Sequence, residues 1–181
     1  MKDFESLIIA RRSTRKFTEK QISPEDVRKI LQSALLAPTS KNCKSWEFVA
    51  IEDKSLLRQL SICKDAGGAF LEGCTLAVVV MGDRTKTDAW IEDASIAAIF
   101  VQLQAEDLGL GSCWCHVRNR FTADTESEQY VRELLDIPDH FGILCIIGIG
   151  HKDQERKPND LSNLTWEKIH IEKFPPADVM V

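Results

Sequence analysis

The sequence predicts an α+β fold in which about four strands alternate with helices. Two continuous apolar runs of strand length, Thr75–Met81 and Ile143–Ile149, read as strands buried on both faces of a sheet. Around them lie segments of helical period, the longest spanning about residues 88–108. The 181 residues show no internal repeat, low-complexity tract or second domain. Residues 1–181 are therefore expected to fold as one domain, with about 161–181 as a C-terminal extension.

Each element has a local cause. Residues 3–11 carry Phe4, Leu7 and Ile8 at helical spacing, and the chain after Phe17 is polar and extended. Ser23-Pro24-Glu25-Asp26 starts a helix: Ser as N-cap, Pro at the first position, acids in the first turn. Val27, Ile30, Leu31, Ala34 and Leu35 then form a stripe expected to be buried, and Pro38 ends the helix. Trp46 to Ile51 is expected as a strand. Residues 54–61 follow as a short helix with Leu56, Leu57 and Leu60 inward, and 65–73 as irregular chain or a short helix. Gly82-Asp83-Arg84 is expected to break the strand that begins at Thr75. The helix at 88–108 is apolar around much of its circumference, and Ala94, Ser95, Ala97 and Ala98 permit close approach of another element. It is expected to be central, with a partner subunit one candidate neighbour, and to be capped by Gly109-Leu110-Gly111. Ser112 to Val117 reads as a strand, 125–135 as a helix with Val131, Leu134 and Leu135 inward, and Ile137-Pro138-Asp139-His140 as a turn before the last strand. Beyond Gly150 the chain turns polar, and its Pro175-Pro176 end is expected to be mobile.

Composition narrows the function classes. The chain is 44% hydrophobic and 28% charged, with a net charge of -5, which argues against general nucleic-acid binding. The N-terminus has no signal-peptide core and no apolar run reaches membrane-span length, so a cytoplasmic location is expected. The cysteines Cys43, Cys63, Cys74, Cys113, Cys115 and Cys145 are scattered among apolar neighbours and read as reduced thiols packed as small hydrophobes.

Several chemistries lack their signatures. Gly148-Ile149-Gly150 follows a strand, but Asp153 stands where a dinucleotide fingerprint needs its third glycine. Cys113-Trp114-Cys115-His116 has no second Cys/His pair at zinc spacing; on a strand, Cys113 and Cys115 share one face and His116 takes the other. No metal site is expected. None of His140, His151 or His170 pairs with an evident Ser or Cys nucleophile, so a hydrolase triad has no support.

Two stretches remain. Arg11-Arg12-Ser13-Thr14-Arg15-Lys16-Phe17 places three arginines and a lysine within six residues of an acidic protein, a density suited to a phosphate or another anion. Pro38-Thr39-Ser40-Lys41-Asn42-Cys43-Lys44-Ser45-Trp46-Glu47-Phe48 is rich in donors and runs into a strand. Together they resemble the nitroreductase family of flavin enzymes, whose members show R-[RH]-S-x-[RK]-x-F and, one helix later, P-[ST]-[SA]-x-N-x-Q-P-W-x-F. Arg11, Arg12, Ser13, Arg15 and Phe17 match the first motif, and Pro38, Thr39, Ser40, Asn42, Trp46 and Phe48 the second. After the last strand the family runs roughly G-Y-P-x-x-x-x-K-P-R. Lys157-Pro158 falls on its K-P, while Lys152 stands for the proline and Asn159 for the arginine.

The resemblance implies a mixed sheet of about four to five strands packed between helices, completed by dimerisation. It implies FMN as cofactor, NAD(P)H as reductant, and a homodimer with its flavin sites at the subunit interface. Hydride would pass from NAD(P)H to flavin N5 and on to a nitroaromatic, a quinone or a similar electron-poor acceptor, by a ping-pong route. By the family pattern Arg11, Ser13 and Lys157, with Arg156 second, would hold the phosphate. Arg12 would lie near the ribityl chain or phosphate, and Arg15 beside N1 and O2 of the ring. Pro38, Thr39 and Ser40 would reach the flavin of the other subunit, Asn42 would line the same pocket, and the backbone around Ser112, Cys113 and Trp114 would pass near the ring. No side chain is required as a catalytic acid or nucleophile. Two departures bear on substrate choice: Lys44 replaces the family glutamine and Ser45 the proline. Two other readings stay open, a flavin-binding sensor or storage module without turnover, and a thiol-redox protein using Cys113 and Cys115.

Overall fold

Four strands and five α-helices form in residues 3–174, the part of the chain that this computed structural model describes. In order they are α1 (Phe4–Ala10), α2 (Pro24–Leu35), β1 (Trp46–Ile51), α3 (Lys54–Ser61), β2 (Leu76–Asp83), α4 (Trp90–Asp107), β3 (Gly111–His116), α5 (Ser127–Leu134) and β4 (Phe141–Gly150). Short 3-10 turns occupy Ser40–Asn42, Ala69–Gly73, Leu161–Asn163 and Trp166–Lys168. The expected Pro175-Pro176 end lies outside the described residues. No described helix is long and apolar enough to cross a membrane.

Helix starts follow the expected capping chemistry. Asp3, Ser23 and Asp53 each accept a hydrogen bond from the backbone N–H three residues on, satisfying a donor that has no partner inside the helix. The end of α2 differs from expectation. Ile30 and Ala34 are buried, but Leu35 is 58% exposed and Leu36 more so. α2 packs chiefly against α4, and its apolar arc is wider than that contact, so its last turn projects leucines outward. β2 runs through Gly82 and ends at Asp83, within the expected Gly82-Asp83-Arg84 break, and Trp90 packs closely against Gly82.

The sheet order is β1-β2-β4-β3, and every neighbouring pair is antiparallel. The expected mixed sheet of four to five strands is thus a four-stranded antiparallel one. β2 and β3 do run the same way, since both are antiparallel to β4, but β4 lies between them and removes the parallel pair. The parallel pairing recorded is an isolated bridge between Ser13 and Ser112.

Strand alternation divides the core into two layers. Leu76, Val78, Val80, Cys145, Ile147 and Ile149 face α2 and α4. Ala77, Val79, Met81 and Ile146 face the other way, against Leu57 and Leu60 of α3, Leu71, and Val131 of α5. The central strands are covered on both faces, which explains their unbroken apolar sequence. The helix α4 runs along the first layer, and its buried positions include the polar Asp93, Gln102 and Glu106. A charge survives there only with partners: Asp93 finds them in the loop before β1, and Glu106 is reached by Lys152 from the chain after β4.

Candidate functional site

The cationic stretch crosses the edge of the sheet where β3 meets β4. Gly111 and Gly150 are cross-strand partners in that pair. A Cβ on Gly111 would lie 2.6 Å from Thr14 Cγ2, and one on Gly150 would lie 3.0 Å from the Phe17 ring. The two bare backbones therefore let residues 14–17 lie flat across the strands. Backbone hydrogen bonds fix the crossing: Thr14 N to Ser112 O at 2.9 Å, Thr18 N to His151 O at 2.9 Å, and Asp153 N to Lys16 O at 3.0 Å.

The chain after β4 returns along this segment. Arg12 donates from its guanidinium to Lys157 O at 2.5 Å, and Asn159 N donates to Ile9 O at 2.9 Å. Lys152, which replaces the family proline, makes a bidentate pair with Glu106 at 2.9 and 2.8 Å, and Glu106 is only 4% exposed. This pair ties the segment to the C-terminal end of α4. Between the strands of chain lies a cleft of ≈ 660 Å³ lined by Ala10, Arg12, Thr14 and residues 152–156. The Gln154 amide nitrogen is buried there without a hydrogen-bond partner, and the exposed carboxylates of Asp153 and Glu155 also line the cleft.

Behind the crossing, β3 brings Cys113 under the same stretch. Burial pushes the Cys113 thiol pKa up, while the Arg15 charge and a hydrogen bond from the Ser13 side chain oppose it. Ser13 and Arg15 therefore lie near Cys113 at the sheet edge. Cys115, two residues on, contacts Cys63 instead, and that contact lowers its pKa. All six cysteines are free thiols. Among the described residues no group of His, Cys, Asp or Glu is placed to hold a metal. On the opposite face, the Trp114 indole N–H donates to His116 Nδ1 at 3.3 Å. Burial, then the charges of Arg120, Lys64 and Arg118, hold the His116 pKa below its usual value.

The second predicted stretch stands elsewhere. Residues Ser40, Cys43 and Ser45 are hydrogen-bonded to Asp93, in the first turn of α4. Pro38, Lys41, Asn42 and Lys44 are exposed, and Thr39 and Ser40 half-buried. From Asp93 to Glu106 the helix rises about 20 Å at 1.5 Å per residue. One chain therefore gathers Arg12, Ser13, Arg15, Cys113, Arg156 and Lys157 near one end of α4 and holds Thr39, Ser40 and Asn42 at the other. Arg11 is half-buried at the C-cap of α1, beside the first group.

Sequence reasoning missed Asp93, Glu106, Gln154 and Lys64. The first two had a signal, a carboxylate in an otherwise apolar helix. Lys64 and Gln154 had none, since only the fold brings Lys64 toward β3 and Gln154 into the cleft.

Known proteins share this architecture. The model of the nitroreductase family matches residues 8–63 and 62–151. An Archaeoglobus fulgidus protein assigned as an NADH dehydrogenase/NAD(P)H nitroreductase is 33% identical, over 96% of this chain and 100% of its own length. The NADPH-flavin oxidoreductase of Vibrio harveyi is 30% identical, over 83% of this chain and 67% of its own. Among solved structures, the FMN-dependent nitroreductase from Clostridium difficile R20291 superposes with a TM-score of 0.92 at 45% identity, covering 94% of this chain and 100% of that one.

Proposed function

This chain belongs to the nitroreductase family and is an FMN-dependent NAD(P)H oxidoreductase, and from that premise we propose that it carries hydride to an electron-poor acceptor, such as a nitroaromatic or a quinone. One observation carries the reading: Arg12, Ser13 and Arg15 converge with residues 152–157 and Cys113 at the β3–β4 edge. The donor set fits a flavin phosphate. It offers cations at Arg11, Arg12, Arg156 and Lys157, and a buried amide donor at Gln154 that lacks an acceptor. When bound, FMN supplies a two-electron carrier that takes hydride at N5 and yields it to a second substrate, which allows a ping-pong order.

The chain's residues position and polarise. Arg11, Arg12, Arg156 and Lys157 neutralise the phosphate, and Ser13 adds a hydroxyl. Arg15 would offer a positive charge to the ring, favouring its reduced form, and the β3 backbone at Cys113 and Trp114 would hold the ring. No side chain acts as acid or nucleophile.

The separation of the two stretches along α4 supports a homodimer. A second copy packed antiparallel against α4 brings one chain's Pro38, Thr39, Ser40 and Asn42 next to the other chain's arginines. The apolar side chains for such packing are exposed: Phe4, Ile8, Leu35, Leu36, Ile96, Ile99 and Phe100.

The test is a visible absorbance spectrum of the purified protein, repeated after anaerobic addition of NADH or NADPH. Flavin bands that bleach support the function and rank the reductants. A protein that shows no flavin bands and takes up no added FMN overturns it.

A further inference from the structure

A buried acid at the start of α4 organises the loop before β1. Asp93 is 2% exposed. Its Oδ1 accepts the Ser40 N–H at 2.7 Å. Its Oδ2 accepts the Ser45 hydroxyl at 2.5 Å and the Cys43 thiol at 3.7 Å. Among the described residues no cation stands within ion-pair distance of this carboxylate. Its charge is met by these three donors and by the positive end of the α4 dipole.

The loop it holds is strained. Lys41, Asn42 and Lys44 have φ of 51°, 54° and 48°, left-handed values that crowd Cβ against the backbone. Such residues persist only where surrounding contacts over-determine them. Local contacts supply part of the hold: Lys44 N donates to Thr39 Oγ1 at 3.0 Å, and Trp46 Nε1 donates to Ala37 O at 3.2 Å. The rest comes from Asp93, some fifty positions away, which reaches three points of the loop at once. A carboxylate can accept at both oxygens together; an amide of the same shape has one acceptor oxygen.

We propose that Asp93 is a positioning residue for the flavin-facing loop, holding Ser40, Cys43 and Ser45 so that Thr39, Ser40 and Asn42 keep the conformation that meets the partner subunit's flavin. This rests on the flavin reading given above. Asp93 touches neither flavin nor substrate; it acts through the loop.

The experiment is FMN titration of the apoprotein dimer, with amide exchange of residues 39–45 recorded alongside. Asp93→Ala is expected to raise the FMN Kd about tenfold, the equivalent of one charged hydrogen bond, with far-UV circular dichroism retained. Lys41→Gly removes the left-handed penalty at a position outside the flavin set. It is expected to recover part of the lost affinity in the Asp93→Ala background, which a residue that only stabilises the fold would not show. If Asp93→Ala fails to fold, Asp93→Asn replaces it, with faster exchange confined to 39–45 as the expected result. Wild-type Kd and wild-type exchange in the variant overturn the proposal. So does a lower Tm with Kd unchanged. Wild-type apoprotein that binds no FMN is a separate failure: it removes the flavin reading, and this proposal with it.

Discussion

Arg15 and His116 test the site at the scale of single residues. The Arg15 charge opposes the effect of burial on the Cys113 thiol, which sets it near the β3 segment proposed to meet the ring. Arg15→Ala is expected to lower the flavin reduction potential on the order of 50 mV, for one charge lost at an effective dielectric of about 20. Equilibration with a reference dye measures it, and an unchanged potential removes the role. His116 gives a pH dependence of stability. Burial and the charges of Arg120, Lys64 and Arg118 depress its folded pKa, and its Nδ1 already accepts the Trp114 N–H. Below the unfolded pKa near 6.5, the unfolded chain binds the proton more readily than the folded one. Its contribution is thus present above that pH and is lost as the pH falls through the unfolded value toward the folded pKa. Urea midpoints at pH 7.5 and 5.5 are expected to diverge more in wild type than in His116→Asn; equal divergence would falsify the assignment.

The elements are joined by a few contacts between segments far apart in sequence. Gly111 is the point where the cationic stretch crosses β3, and Gly111→Ala forces a methyl into the space of the Thr14 side chain. The expected cost is about 1–3 kcal/mol of stability together with weaker FMN binding, read by urea melts and flavin titration. Lys152 anchors the chain after β4 to α4 through Glu106. Lys152→Ala removes a bidentate ion pair from a buried carboxylate and is expected to cost on the order of 3 kcal/mol. A melt within about 0.5 kcal/mol of wild type would show the pair to be dispensable.

At the scale of the whole molecule, α4 is a ruler between the two halves of the proposed site. Its N-terminal end holds the loop with Asn42, and its C-terminal end holds the segment facing Arg12. α1 leaves every apolar side chain at least partly open to solvent, with Phe4 68% exposed. In the proposed homodimer a second copy that covers this face would also complete the flavin site. Phe100→Asp is therefore expected to convert a dimer to a monomer by size-exclusion chromatography and to release FMN in the same step. A monomer that keeps its flavin would break the link between interface and site. The sequence alone determined the elements, because periodicity, caps and apolar runs are local properties that the chain carries into any fold. It also supplied the residue types of the proposed site, since clustered cations and hydroxyls suit a flavin phosphate. The tertiary structure decided the strand order that inserts β4 between β2 and β3, and the crossing of the cationic stretch over Gly111 and Gly150. It also decided which end of α4 holds each motif. Those are pairings between residues from about thirty to more than a hundred positions apart, and nothing in the local pattern of either partner records the other.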